Sequence, residues 1–149
     1  MVPDIVQLEK KIGYAFKNKH LLWEALTFKS FVHEHSGWEY GCNDRLALLG
    51  DSVLDFVVTE ELLFRHPCKG AGEITRTYIE TIKNEKLGKI AESMNLGKYF
   101  LIFRRANNGK PLSISRYHLA SGVEAIIAAI YLDGGLAAAK KFIVSKIIK

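Results

Sequence analysis

Two stretches of the chain are oily almost all the way round, and nearly every other segment carries apolar residues at helical spacing on one side only. The first runs from residue 43 to 65 (NDRLALLGDSVLDFVVTEELLFR) and the second from 119 to 132 (LASGVEAIIAAIYL). Around them the pattern predicts shorter amphipathic helices. Ile5, Leu8 and Ile12 mark one, capped by Asp4 and stopped by Gly13, and Leu21, Leu22, Ala25 and Leu26 mark another. Residues 73–83 and 84–95 read as two helices broken near Asn84, with Ile74, Tyr78, Ile82, Leu87, Ile90, Ala91 and Met94 turned inward and Gly97 ending the pair. The second oily helix is expected to start after Ser115 and end at Gly134-Gly135, followed by a last amphipathic helix with a basic outer face. Residues 34–42 (EHSGWEYGC) and 103–113 (FRRANNGKPLS) read as loops, and no stretch alternates with period two. The expected fold is therefore all-α: a single compact helical domain over residues 1–149, with eight or nine helices around two buried central ones.

The central helices are chemically odd. Asp44, Asp51 and Asp55 sit among Leu, Val and Phe in the first, and Glu124 is the sole charge of the second. On a helix, Asp44, Ala47, Asp51 and Asp55 form one ragged stripe. A carboxylate taken out of water costs several kcal/mol unless something compensates it. Two solutions are open at this point: a basic neighbour, for which Arg45, Arg76 and Lys83 are available, or a cation shared by Asp51 and Glu124 if the two helices touch. Asn43 is an N-cap candidate and Asp44 complements the helix dipole, which is a sufficient structural role for Asp44.

Charge and composition narrow the partners. A formal charge of +5 and a pI near 9.2 favour an anionic partner, nucleic acid before membrane, because no polybasic run borders an amphipathic anchor. Arg104, Arg105 and Lys110 cluster in the loop at 103–113, where they can meet phosphates or simply face solvent. Cys42 and Cys68 have neither CxxC spacing nor a nearby His, so no disulfide framework or zinc site is expected. The start of the chain lacks an apolar leader core and no apolar run is long enough to span a bilayer. The expectation is an intracellular protein, cytoplasmic or nuclear, with an organelle also compatible.

Taken in order, NDRLALLGDSVLDFVV, GEITRTYIETIKNEKLGKIAESMNLGKYF and ASGVEAIIAAIYLDGGLAAAKKFI resemble the nuclease domain of ribonuclease III, and KIGYAFKNKHLLWEALTFKSF resembles that domain's opening helices. The resemblance covers nearly the whole chain. It implies a divalent-metal-dependent endonuclease for double-stranded RNA that acts in RNA processing as a homodimer, with four carboxylates from two helices holding Mg²⁺ (or Mn²⁺) in each centre. By this resemblance Asp51 and Glu124 are catalytic and metal-binding, and Leu48 holds the place of an aromatic residue that packs across the dimer axis.

Two positions depart from the pattern. Ala47 stands where the family has Glu, and Ser121 stands where it has the first acid of the second pair. The implied consequence is weakened metal affinity, because Mg²⁺ takes hard oxygen ligands and draws on carboxylate charge. Ser121 offers a neutral oxygen, and Asp44, one turn before Ala47, offers a carboxylate that water can connect to the metal. Ala47 is either natural or an engineered change, and the chain either belongs to a compact type without a double-stranded-RNA-binding domain or is part of a longer protein. Two functions follow: an endoribonuclease with reduced activity, or a catalytically inactive dimer that binds structured or ribosomal RNA.

Overall fold

The structure is a computed structural model that describes residues 2–104, 106, 107, 110, 111 and 113–148, with the side chains at 84, 106, 107, 110 and 111 outside the description. Among these residues the fold is eight α-helices: α1 (Ile5–Ile12), α2 (Lys19–Leu26), α3 (Lys29–Glu34), α4 (Asp44–Arg65), α5 (Ala71–Ile82), α6 (Asn84–Ser93), α7 (Arg116–Gly134) and α8 (Leu136–Ile143). A 3-10 turn (Leu96–Tyr99) follows α6, and α8 passes into a π-helical turn (Val144–Ile148). The loop after the 3-10 turn holds a minimal antiparallel pair, β1 (Ala106–Asn107) with β2 (Lys110–Pro111). The all-α expectation holds.

The oily segments are the frame of the domain. α7 buries ten of its residues, from Leu119 to Ile130, and α4, α6, α2 and α8 all pack around it. α4 is two-faced: Leu46, Val53, Leu54, Val57, Val58 and Leu62 are buried, while Leu48, Phe56, Leu63 and Phe64 remain exposed. Its closest approach to α7 is set by Gly50. A methyl group there would fall inside the van der Waals shell of the Glu124 carbonyl, so the two backbones meet with no side chain between them. Gly122, on the next part of α7, similarly leaves room for the ring of Phe100.

Local chemistry ends the helices where the sequence signals it, with three differences. Asp4 caps α1 by accepting from Gln7 N at 3.1 Å, Gly13 closes it with positive φ, and Ser115 caps α7 by accepting from His118 N at 3.2 Å. Asn43, however, does not cap α4 with its side chain. Its Nδ2 donates to the Ala25 carbonyl at 3.1 Å, because the chain entering α4 is knit to the end of α2, where Asn43 N also donates to Thr27 O at 2.8 Å. The α5–α6 pair ends on Asn95 in a left-handed conformation rather than on Gly97, which sits within the 3-10 turn. A short helix, α3, occupies residues that carry only six helical positions and bury none of them, too weak a pattern to stand out in the sequence.

Two polar anchors fix the periphery. Asp133, at the end of α7, accepts from Tyr14 Oη at 2.7 Å, Lys17 N at 2.9 Å and Asn18 N at 2.9 Å. Burial opposes its ionisation, but the three donors outweigh it and hold the carboxyl below its ordinary range. Glu9, buried on α1, accepts from Lys19 Nζ at 2.6 Å and Phe16 N at 2.5 Å.

Gly50→Ala is expected to lower stability by at least ~2 kcal/mol, since the new methyl meets rigid backbone rather than a movable side chain. Ser52→Ala, exposed two residues along α4, is expected to stay within ~0.5 kcal/mol of wild type. Thermal or urea unfolding followed by circular dichroism checks both.

Candidate active site

The close crossing at Gly50 places the next residue of α4, Asp51, within hydrogen-bonding reach of Glu124 on α7. Neither carboxylate forms a salt bridge with any described residue. Lys83 is engaged with Glu80 at 2.9 Å, and neither Arg45 nor Arg76 forms an ion pair with Asp51 or Glu124. The expected burial is only partial, since Asp51 is exposed and Glu124 half-buried, and no basic neighbour among the described residues neutralises them. Instead the acids face each other: burial first, then the hydrogen bond with Asp51 and the charges of Asp51 and Asp55, push the Glu124 carboxyl from 4.5 up to about 8.

Asp55, one turn further along α4, belongs to the same group. Burial raises its carboxyl, the Tyr78 hydroxyl donating from α5 works against that rise, and the charge of Asp51 adds to it. Tyr78 is correspondingly held in its protonated form by burial and by Asp55. One oxygen of Asp55, Oδ1, is enclosed and without a hydrogen-bond partner among the described residues. The stripe on α4 already contained Asp55 in the sequence. Nothing there linked it to Tyr78, which the α5 spacing marks only as an inward residue.

The remaining expected ligands lie earlier on the same two helices, Ser121 one turn before Glu124 and Asp44 two turns before Asp51. Asp44, Ala47 and Ser121 line a cleft of about 300 Å³, together with Phe28, Lys29, Ser30, Asn43, Tyr117 and His118. The structure thus brings Asp51 to Glu124 and gathers Asp44 with Ser121 around Ala47 in a neighbouring hollow. Of the basic loop residues, Arg104 is exposed and borders grooves that also include Lys98, a cation the loop-based reading misses. Arg105 and the side chain of Lys110 lie outside the described residues. Leu48 is 74 % exposed on the open side of α4, in line with Phe56 and Leu63.

The donor set suits a hard divalent cation of the weakly held kind. Magnesium is commonly bound by one or two carboxylates, with water and substrate phosphate completing its shell. Asp51 and Glu124 supply that pair, and Asp55 Oδ1 is an enclosed oxygen with no donor to satisfy it. Among the described residues no three His, Cys, Asp or Glu side chains converge as a ready-made cage. Two carboxylates with an open remainder is the set present.

The proton on Glu124 has a consequence for stability without metal. The folded state binds it more tightly than the unfolded chain, so the stability it contributes is fully present below pH 4.5 and is lost as pH rises through about 8. In buffer with chelator, the melting temperature is expected to fall across that window. Glu124→Gln, which keeps the hydrogen bond and removes the charge, is expected to flatten much of the slope in thermal unfolding at a series of pH values.

The chain is similar over almost its whole length to proteins of known kind. The Ribonuclease-III-like family profile matches residues 18–149. Ribonuclease 3 of Clostridium acetobutylicum is 39 % identical over 140 residues, covering 92 % of this chain and 58 % of the relative. That of Dehalococcoides mccartyi is 36 % identical over 143 residues, covering 94 % and 59 %. The chain therefore spans about three fifths of the length of these relatives. The nuclease domain of ribonuclease III from Campylobacter jejuni superposes with a TM-score of 0.83 at 34 % identity, covering 97 % of this chain and 96 % of that one; in that protein a region involved in dimer formation shows structural flexibility. With an all-α fold of that shape and a family match from Asn18 to the last residue, the chain belongs to the ribonuclease III-like family and corresponds to its nuclease domain.

Proposed function

We propose that residues 1–149 form one nuclease domain that acts as a metal-dependent endoribonuclease on double-stranded RNA in RNA processing, inside the cell and with reduced activity. The observation that carries this reading is the Asp51–Glu124 pair, two acids pressed together across α4 and α7 with no basic partner among the described residues. Such an arrangement is stabilised when a cation replaces the shared proton. No helix among the described residues is long and apolar enough to cross a membrane.

Asp51 and Glu124 are the residues that would hold Mg²⁺ (or Mn²⁺), with Asp44 and Ser121 in support through water. When bound there, the metal supplies Lewis-acid polarisation of a phosphoryl oxygen and a water of lowered pKa. The protein's own part is positioning: Gly50 fixes the distance between the two acids, and Tyr78 orients Asp55 beside them. Ala47 and Ser121 remove two anionic ligands, which lowers metal affinity and with it the rate. Arg104, with Arg105 and Lys110, would contact the sugar-phosphate backbone, giving binding that follows duplex shape and falls with salt.

The exposed apolar line of Leu48, Phe56 and Leu63 supports a homodimer through the open side of α4. A shallow groove beside it is walled by Asp55, Phe56, Thr59, Glu60 and Leu63, and Ile79 on α5 extends the apolar surface. The same departures that lower metal affinity favour a second reading, a catalytically inactive dimer that grips structured or ribosomal RNA.

A labelled RNA duplex incubated with Mg²⁺ or Mn²⁺ distinguishes the two. Cleavage is expected, and Glu124→Ala is expected to reduce it by ~100-fold or more while leaving duplex binding in place. Binding without cleavage, indifferent to metal and to that substitution, would establish the inactive dimer instead. Calorimetric titration with Mn²⁺ is expected to lose its signal in Asp51→Asn, and an unchanged signal in Asp44→Asn would remove Asp44 from the metal's support. Leu48→Arg is expected to convert a dimer to a monomer by light scattering at micromolar protein.

A further inference from the structure

The hollow beside the acid pair has lost the chemistry of a metal wall. With carboxylates at positions 47 and 121, as the resemblance would have them, it would carry three acids together with Asp44. It carries one, and a methyl group and a hydroxyl stand in place of the others. Two basic side chains, Lys29 and His118, share its lining with the hydroxyls of Ser30, Tyr117 and Ser121, while the Asn43 amide is committed to the Ala25 carbonyl.

Two of these groups are fixed by partners. His118 Nδ1 lies 2.8 Å from Ser115 Oγ, which itself accepts from His118 N at 3.2 Å. That contact occupies Nδ1 and leaves Nε2 as the ring's remaining nitrogen, a donor whenever it carries a proton. The ring is also braced by Phe28 and Tyr117, with centroids 5.6 Å away in both cases and edge-on geometry. Ser30 Oγ already accepts from Phe103 N at 3.1 Å, so its own proton is what it has to offer. Lys29 forms no salt bridge with a described residue, even though Asp44 borders the same cleft. Arg116, the nearest other cation in sequence, is committed to Glu85 and Glu92.

We propose that this cleft, between the start of α3, the start of α4 and the first turns of α7, seats a phosphate group directly on Lys29, His118, Ser30 and Ser121, without a metal ion. A phosphate accepts from ammonium, imidazole and hydroxyl at once, and its three or four oxygens match donors spread around one cleft. Asp44 opposes the charge and keeps the affinity for a single phosphate low. A phosphate carried on an RNA strand gains from the strand's other contacts and is held more firmly than a free one. That choice of RNA as the source rests on the function proposed above; the phosphate seat itself does not.

The test uses isotope-labelled protein in EDTA, titrated with inorganic phosphate and followed by NMR, alongside filter binding of a duplex RNA in the same buffer. Phosphate is expected to shift the resonances of Lys29, His118 and Ser121. Lys29→Gln, at an exposed position outside the core, and His118→Ala are each expected to weaken phosphate binding by roughly 5-fold or more, and Asp44→Asn to strengthen it. If the two weakening variants also lower duplex affinity, the occupant is the RNA backbone; if only the phosphate arm responds, the seat takes free phosphate. A wild-type chain that binds no duplex yet keeps the phosphate response refutes the RNA reading and upholds the seat. Phosphate that moves no cleft resonance, or an affinity unchanged in Lys29→Gln, overturns the proposal.

Discussion

Everything distinctive about this domain depends on one approach between backbones, where α4 crosses α7 at Gly50 with no side chain between them. The crossing is close because position 50 has no Cβ, and its immediate chemical result is that Asp51 and Glu124 cannot avoid one another. The apolar packing of Val53, Leu54, Val57 and Val58 on one side and Ala125 to Ile130 on the other holds the helices at that distance. Hydrophobic burial thereby sets the spacing of two acids at the edge of the core, Asp51 exposed and Glu124 half-buried.

The site has two halves of different electrical character. On one side, Asp51 lies against Glu124, burial and Asp51 push the Glu124 carboxyl upward, and an Asp55 oxygen lies enclosed without a partner among the described residues. On the other, Ala47 and Ser121 leave a hollow that Lys29, His118 and three hydroxyls line together with Asp44. A cation suits the first half and an anion the second, and they lie on neighbouring turns of the same two helices. A phosphodiester beside a metal ion joins these two demands in one ligand.

The frame was legible in the sequence because burial writes itself into spacing. The two oily segments, the caps at Asp4 and Ser115 and the stop at Gly134-Gly135 each rest on local chemistry, and each appears in the structure. The pairing of Asp51 with Glu124 was left open by the residues themselves, which offered basic neighbours as well, and it was the family resemblance that pointed to it. What escaped depends on contacts between distant segments. Asn43 looks like a cap until the end of α2 supplies a carbonyl for its amide. Asp55 looks like one more residue of a stripe until Tyr78 arrives from α5, and Lys29 and His118, 89 positions apart by number, become neighbours only when α3 and α7 converge.

The clamp on Asp133 bears on the order in which the molecule is assembled. Its three hydrogen bonds join residues 115, 116 and 119 positions apart, so they close most of the chain into a single loop. Ordering so long a loop is entropically expensive, and contacts of that range form after nearby helices have already docked. The end of α7 is therefore secured late, by the turn that precedes α2. A nascent chain lacks this fastening until residue 133 has emerged, and Glu124, nine residues earlier on the same helix, inherits that timing.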